Sequence, residues 1–347
     1  MNNILIHMPE TKKLYAFGKK QRINLALSEN PLGCSPLVTS FMKKGGMNVS
    51  EYPDVTLSVL KGAIANKIGV NIDAVFISSG SEAIIGAITK IVQKGEVIIP
   101  SLTFPMFEIV SQLANMKVVI SPVSESLEIQ LDDIETKITK NTKLIFLCNP
   151  NNPTGKLLRK EAILNVLRRC NCLVVVDEAN IEFGGESIIE EVNNFDNLVV
   201  LRTFSKGFGL AGLRVGFCAA NKNVIRLLEK VSQPFPITTF TAKLAEIALT
   251  DEKFIGFTKL FMIQEREFLT CELEKRGFIV VASEANNLFV DISLFANNST
   301  EFVAKLATEC VSVVDGASFG MNTYIRVSPR LRETNVAFLQ AVDTINK

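Results

Sequence analysis

The 347-residue sequence contains only one histidine, His7, close to its N-terminus. Catalysis by Ser-His-Asp or Cys-His groups needs a histidine as the base, and common zinc sites use histidine ligands. The composition therefore argues against these mechanisms, and we interpret His7 as a surface residue. Acid–base chemistry in this chain must rely instead on lysine, tyrosine, aspartate, glutamate or a cofactor.

Excess charge of one sign and long apolar runs are also missing. The net charge is +1 and the pI is about 7.5. Such a balance is not typical of nucleic-acid-binding or membrane-surface proteins. No apolar run reaches the roughly 20 residues that a membrane helix needs, and no N-terminal stretch has the pattern of a signal peptide. We expect a cytoplasmic protein without nucleic-acid or membrane partners.

The cysteines do not form the pattern of a disulfide framework. There are seven, an odd number, and several lie in apolar, strand-like runs, which predicts reduced thiols in the core. Cys170 and Cys172 are separated by one residue, a spacing that fits neither a CxxC redox motif nor a common zinc pattern. We therefore favour core packing for this pair and predict no metal site.

Short apolar runs alternate with helical segments over the first two thirds of the chain. The runs are apolar throughout, as expected for strands buried on both faces. Helical patterns separate them, for example at 81–92, 103–113 and 160–169. This alternation predicts an α/β domain with a mostly parallel sheet. The predicted strands are 75–78, 96–100, 117–120, 144–148, 173–177, 198–201 and 215–219.

The pattern changes after about residue 221. Helical segments at 222–231 and 238–276 precede strand-like pieces at 278–281, 287–292, 311–314 and 324–327, and a closing helix is predicted at 332–345. This order is typical of a smaller α+β domain. We therefore predict an N-terminal arm (1–24), a large domain (25–225) and a small C-terminal domain (226–347).

Polar clusters follow several of the predicted strands, where ligands of open α/β sheets gather. The first is Ser79-Gly80-Ser81-Glu82, at the start of a predicted helix. The free N–H groups and the dipole of a helix N-terminus bind phosphate. A Gly-Ser helix start is common without any ligand, so this cluster alone leaves both interpretations open.

The second cluster is Asp177, which closes an apolar strand. A carboxylate in such surroundings is costly unless it has a partner, which would be a cation, a metal or a protonated ring nitrogen. A helix N-cap is an equally good interpretation. Asn152, in Asn149-Pro150-Asn151-Asn152-Pro153-Thr154-Gly155, also follows a strand; it is either part of a tight turn or a donor into the same crevice.

The third cluster is Thr203-Phe204-Ser205-Lys206, with Arg214 soon after. In isolation, a lysine here is more often an exposed loop residue. Two hydroxyls, an arginine and a lysine at one strand end also suit a phosphorylated aldehyde cofactor. The lysine would form the imine and the other groups would hold the phosphate.

Together these clusters resemble the fold-type-I pyridoxal 5′-phosphate (PLP) aminotransferases, and within them the histidinol-phosphate aminotransferase branch. The order and spacing of the motifs carry the resemblance over nearly the whole chain. The motifs are 28–33 (SENPLG), 52–54 (YPD), 80–82 (GSE), 150–155 (PNNPTG), 177–179 (DEA), 203–206 (TFSK), 209–216 (GLAGLRVG) and 324–326 (YIR).

The resemblance implies roles for particular residues. Lys206 would hold the cofactor and move the proton, and Asp177 would keep the pyridinium nitrogen protonated. Asn152 would contact the ring's 3-oxygen and Phe104 would stack on the ring. The cofactor phosphate would be bound by Ser81, Glu82, Thr203, Ser205 and Arg214.

The resemblance also implies a homodimer and a substrate site. Tyr52 would reach the phosphate of the cofactor in the other subunit. Arg326 would clamp the substrate α-carboxylate with its bidentate guanidinium. Asn30 and Arg330 complete the set of candidate substrate contacts.

Two positions depart from the histidinol-phosphate branch. Asn180 stands where a tyrosine usually donates to the 3-oxygen, which leaves the tuning of the imine open. Arg330 stands where glycine is usual. Both departures resemble the cobalamin-pathway threonine-phosphate decarboxylases, whereas the Lys206 and Arg214 motifs resemble the aminotransferases. Arg330 is either a contact for a substrate anion or a helix cap or surface ion pair.

We therefore expect amino-group transfer between an L-amino acid and a 2-oxo acid; whether the amino acid carries a phosphate or another anion is left open by the sequence. The alternative reaction is decarboxylation of a phosphorylated amino acid. A non-catalytic relative that keeps the fold is a third interpretation. It is disfavoured because Lys206, Asp177, Arg214 and Arg326 are all present.

Overall fold

The computed structural model describes residues 21–346. His7 and most of the predicted N-terminal arm lie outside these residues. Within them, no helix is long and apolar enough to cross a membrane. The helices are α1 Pro36–Lys44, α2 Ser58–Ile68, α3 Ser81–Ile91, α4 Met106–Leu113, α5 Leu131–Lys137, α6 Lys160–Arg169, α7 Lys222–Val231, α8 Thr239–Thr250, α9 Glu252–Lys275, α10 Ser299–Thr308 and α11 Arg332–Ile345.

The strands form three sheets. They are β1 Ile23–Asn24, β2 Val75–Ser78, β3 Glu96–Pro100, β4 Lys117–Ser121, β5 Thr142–Cys148, β6 Leu173–Asp177, β7 Leu198–Thr203, β8 Gly216–Ala220, β9 Ile279–Val281, β10 Leu288–Asp291, β11 Val311–Ser312, β12 Val314–Asp315 and β13 Tyr324–Val327. The largest sheet has the order β2-β8-β7-β6-β5-β3-β4. This is the predicted α/β class with a mostly parallel sheet, and that prediction is confirmed.

The central strands are buried on both faces. Along β6, Val174 and Val176 belong to the core on one side of the sheet, and Val175 belongs to the core on the other side. Successive strand residues point to opposite faces, so an uninterrupted apolar run supplies both cores.

Strand β8 runs antiparallel to both of its neighbours in the central sheet, β2 and β7. Its first residue, Gly216, lies opposite the last residues of its two neighbours, Ser78 of β2 and Thr203 of β7. The loop before β8 therefore meets the loops after β2 and β7 at a single edge. This topology brings Arg214, Lys206 and the start of α3 together.

The smaller sheet, in the order β12-β13-β10-β9, is antiparallel. It packs with α9, α10 and α11 around a core of its own, which includes Phe302 and Phe338. The short strand β1 pairs with β11, and the adjacent Leu25 is buried in this same core. The domain division at residues 24 and 225 stays a prediction.

Several predicted elements have different bounds in the structure. The predicted helix over 238–276 is two helices, separated at Asp251, whose side chain accepts a hydrogen bond from the Phe254 N–H and caps α9. The strand predicted at 311–314 is divided between two partners, since β11 pairs with β1 and β12 pairs with β13. Helix α4 begins at Met106, not at residue 103.

Candidate active site

A cavity of about 420 Å³ opens at the carboxyl edge of the central sheet. The loops after β2, β5, β6 and β7, the loop before β8, and strand β13 contribute to its wall. Most of the predicted site residues line it: Ser81, Glu82, Phe104, Asn152, Asp177, Asn180, Thr203, Ser205, Lys206, Arg214 and Arg326.

Lys206 reaches into this cavity from the loop after β7. Its Nζ donates a hydrogen bond to the Ser28 carbonyl over 3.0 Å. Burial lowers the pKa of Lys206 to about 8, and the nearby charge of Arg326 acts in the same direction. A lowered pKa increases the fraction of neutral amine near physiological pH, and the neutral amine is the form that attacks carbonyl groups.

Asp177 lies at the end of β6 and is almost fully buried. Burial raises the pKa of its carboxyl group to about 7, although the Ala179 N–H donates to Oδ1 over 2.9 Å. The thiol of Cys148 ends the adjacent strand β5 beside it, and burial raises the pKa of that thiol well above its ordinary value. A protonated nitrogen in the cavity would stabilise the Asp177 carboxylate.

Another part of the cavity wall, the anion region, carries an arginine, a hydroxyl group and a helix N-terminus, groups that can bind an anion. Arg214 donates from Nη1 to the Ser205 Oγ over 3.4 Å, and its Nη2 lies 3.5 Å from Glu82 Oε2. Its backbone is left-handed (φ 50°), a conformation that non-glycine residues rarely adopt. The N-terminus of α3 points into the same region.

Glycine at position 80 leaves this anion region open. A Cβ there would lie 2.9 Å from Arg214 Nη2, and φ is 86°. A side chain at this position would therefore displace the guanidinium and strain the turn. Thr203, at the end of β7, accepts a hydrogen bond on Oγ1 from the Ser205 N–H over 3.1 Å and shapes the loop that carries Lys206.

Asn152 and Arg326 are bound to each other. The Arg326 Nη1 donates to Asn152 Oδ1 over 2.8 Å, and Nη2 donates to the Ala26 carbonyl over 2.8 Å. Arg326 is buried, so these bonds compensate part of the cost of placing its charge away from water. The guanidinium, on β13 of the small sheet, is thereby held at the wall of the cavity.

Asn180 and Phe104 form further parts of the wall. Asn180 is buried, and within residues 21–346 its Oδ1 has no hydrogen-bond partner. A buried, unsatisfied amide oxygen at a cavity wall is typical of a position that awaits a ligand donor. The Phe104 ring packs edge-on against Phe107, which stacks on Phe146.

Three predicted site residues lie outside the cavity lining. Asn30 donates to the Gly207 carbonyl over 2.9 Å and accepts from the Leu32 N–H, so its side chain braces the loop of Lys206. Arg330 lies 3.5 Å from Glu29 Oε2. Tyr52 is largely exposed and stacks on Phe235.

Sequence reasoning did not identify some lining residues as part of the site. Ser28, Glu29, Cys148 and Asn287 all line the cavity. Cys148 could have been recognised as a site residue from the sequence, because it ends the strand that precedes the strand of Asp177. Ser28 contributes through its backbone carbonyl, which any residue type could supply, so its identity carries no such signal.

A family model and several relatives match most of the chain. The model of the family described as aminotransferase class I and II matches residues 20–342. The chain belongs to this family. A histidinol-phosphate aminotransferase of Moorella thermoacetica is 33% identical over 337 residues, which covers 94% of this chain and 86% of the relative.

Solved structures show the same fold. The histidinol-phosphate aminotransferase of Clostridium acetobutylicum is 26% identical, with a TM-score of 0.87 over 93% of this chain and 98% of the other. The enzyme of Sinorhizobium meliloti, solved in complex with PLP, is 21% identical with a TM-score of 0.85, covering 95% of this chain and 92% of the other. At 21% identity, the similarity to the Sinorhizobium meliloti enzyme shows the fold alone.

Proposed function

We propose that this aminotransferase-family chain is a PLP-dependent enzyme that moves an amino group between an L-amino acid and a 2-oxo acid. The observation that carries the proposal is that Lys206 and the buried Asp177 line the same cavity. The cavity presents an amine with a lowered pKa and a carboxyl group that needs a cationic partner. A pyridine ring that carries an aldehyde meets both needs: the aldehyde reacts with the amine, and the protonated ring nitrogen is a cationic partner for the carboxylate.

The residues present fit this cofactor. Arg214, Ser205, Thr203 and the N-terminus of α3 form a phosphate cradle, with Gly80 leaving the space for it. Asp177 would face the ring nitrogen, and Phe104 would contact the ring. Asn152 and Asn180 supply amide groups at the remaining wall. When bound, PLP supplies an aldehyde that reacts with amines and a ring that accepts electrons.

Three side chains of the cavity have different roles in this reaction. Lys206 would hold the cofactor and would carry the proton from the substrate Cα to the aldehyde carbon of the cofactor, C4′. The ionised Asp177 would keep the ring nitrogen protonated. Arg326 binds the substrate α-carboxylate through its guanidinium, which Asn152 and Ala26 orient.

The amino donors we propose are amino acids with a distal phosphate and amino alcohol phosphates of the histidinol-phosphate type. The latter have no α-carboxylate, so the carboxylate contact of Arg326 applies to the amino acids. The curated relatives bear that name, and the chain covers most of their length. Arg330 is the candidate for the distal anion. It is held near Glu29, which lines the cavity.

A single-turnover assay tests the reaction type. The PLP form of the enzyme is mixed with histidinol phosphate or a phosphorylated amino acid such as phosphothreonine. We expect the amine form of the cofactor and the matching carbonyl product. With the carboxylated donor, stoichiometric CO₂ with the cofactor still an aldehyde would show that the chain is a decarboxylase.

We also propose a homodimer whose active sites are shared. The supporting observation is the exposed Tyr52, which lies outside the cavity of its own chain. Mixed and refolded Tyr52→Ala and Lys206→Ala variants should recover activity, because one site of the hybrid dimer would be intact. Hybrids that form and stay inactive would contradict the shared site. A cytoplasmic location is consistent with the seven unpaired cysteines.

A further inference from the structure

A second cavity lies behind the loop of Lys206. It has a volume of about 380 Å³ and is bounded by α2, the start of α9, and the strands β7 and β8. Its wall is mostly apolar, and it is separate from the lining of the first cavity. The apolar lining residues are Ile64, Ile68, Phe208, Phe217, Leu249 and Ile255.

One carboxylate in this wall, that of Glu182, is only partly satisfied by the residues that the structure describes. The side chain of Glu182 is 7% exposed, and its Oε2 has no hydrogen-bond partner within residues 21–346. Its Oε1 lies 3.6 Å from Arg202 Nη1, which is longer than a hydrogen bond. Burial raises the pKa of Glu182 to about 7, although the charge of Arg202 and the backbone N–H of Glu182 itself act in the opposite direction.

The surrounding charges leave an excess of negative charge at Glu182. Arg202 is closer to another carboxylate, since its Nε donates to Glu178 Oε2 over 2.8 Å. Lys67 pairs with Glu252 at the cavity wall, so these two charges cancel. Two buried carboxylates therefore share one guanidinium, and Glu182 has the weaker contact. A cation in the cavity would complete the pairing.

We propose that this second cavity binds a small organic cation with an apolar body, such as a substituted ammonium ion, which donates to Glu182. The apolar wall would bury the body of the ligand, and Glu182 would accept the N–H. An anion is disfavoured by the excess negative charge. A metal ion is disfavoured because the wall offers a single available carboxylate beside an arginine.

The site is positioned to influence the active site. Asp177 and Asn180 line the first cavity, and Glu182 of the same segment lines the second. Gly207, next to Lys206, packs directly on Glu182, because a Cβ at Gly207 would lie 2.7 Å from Glu182 Cβ. A ligand that draws the Glu182 side chain toward itself changes the support of the lysine loop. The second cavity is therefore an effector site.

The test uses the PLP-loaded protein and two ligands of nearly the same shape. N,N-Dimethylbenzylamine is a protonated tertiary amine at about pH 8, where Glu182 is ionised, and it cannot form an imine with an aldehyde. Isobutylbenzene replaces the nitrogen by carbon and has no charge. We expect saturable binding of the amine by NMR titration, and binding of the hydrocarbon weaker by about tenfold or more.

Variants identify the site. Glu182→Gln should weaken binding of the amine by about tenfold or more, whereas the control Glu229→Gln, which removes a surface carboxylate outside the cavity, should not change it. Equal affinity for the two ligands, or no saturable binding by the wild type, would overturn the site. This comparison needs no variant, so it decides the matter even where Glu182→Gln does not fold. Binding with no change in the cofactor absorbance or in kcat would overturn the coupling to Lys206.

Discussion

Lys206→Ala is expected to reduce amino transfer by at least roughly 10²–10⁴-fold, the range for loss of a positioned acid–base group. The variant loses both the group that holds the cofactor and the group that moves the substrate proton. Structurally the change is small, since the Lys206 side chain makes one hydrogen bond, to the Ser28 carbonyl. We therefore expect a folded protein with little activity.

Chemical mapping checks the same assignment independently of activity. Borohydride reduction of the PLP-loaded wild type, followed by peptide mapping, should place the pyridoxyl group on Lys206. The control is Lys160→Ala, which removes a lysine that is paired with Glu191 and does not line the cavity, and it should leave activity and labelling unchanged. A label on any other lysine would refute this assignment of the site.

The pKa of Lys206 adds a pH dependence to this prediction. Because burial lowers that pKa to about 8, the neutral amine increases as pH rises through this value. Association of PLP with the cofactor-free protein should therefore become faster between about pH 7 and pH 9 and level off above. Stopped-flow absorbance measures this rate. A rate that keeps rising toward the ordinary lysine pKa would contradict a lowered value.

Residues at strand ends were predictable from the sequence, because a strand and the polar group that closes it are adjacent in the chain. Asp177 and Lys206 are of this kind, and both line the cavity. The antiparallel direction of β8 was not visible in its apolar pattern. That direction is what brings Arg214 to the same edge.

Contacts between distant segments could not be predicted. The bond between Arg326 and Asn152 joins residues 174 positions apart. Asn30 was assigned to substrate binding from its motif, but its amide is bonded to Gly207, on the loop of Lys206. Strand β1 contains two residues, too few for a periodic pattern, and depends on its pairing with β11.

Arg326→Ala is the second change with a large expected effect. If the guanidinium binds the substrate carboxylate in a buried contact, its removal should cost roughly 2–5 kcal/mol in kcat/KM. This corresponds to about 30- to 5,000-fold. The loss should be similar for every amino donor that carries an α-carboxylate. Unfolding by denaturant must be measured beside it, because Asn152 and Ala26 also lose a donor.

The structure links this variant to a spectroscopic readout. The positive charge of Arg326 contributes to the lowered pKa of Lys206. Removing that charge should therefore move the pH dependence of PLP association to higher pH. A purely structural role for Arg326, without proximity to Lys206, would leave the midpoint in place. The conservative variant Arg326→Lys keeps the charge and should keep the midpoint near that of the wild type.

Arg330→Ala is the matched comparison, since it removes an arginine just beyond the same strand β13. Its guanidinium lies near Glu29 and outside the cavity lining, so the α-carboxylate should still bind at Arg326. We expect about a tenfold or greater loss of kcat/KM for donors with a distal phosphate, the scale of one charged hydrogen bond. Donors without a distal anion should react as with the wild type. Equal losses for both donor types would show that Arg330 either supports the fold or binds the α-carboxylate. Arg330 would then not determine which substrate is used.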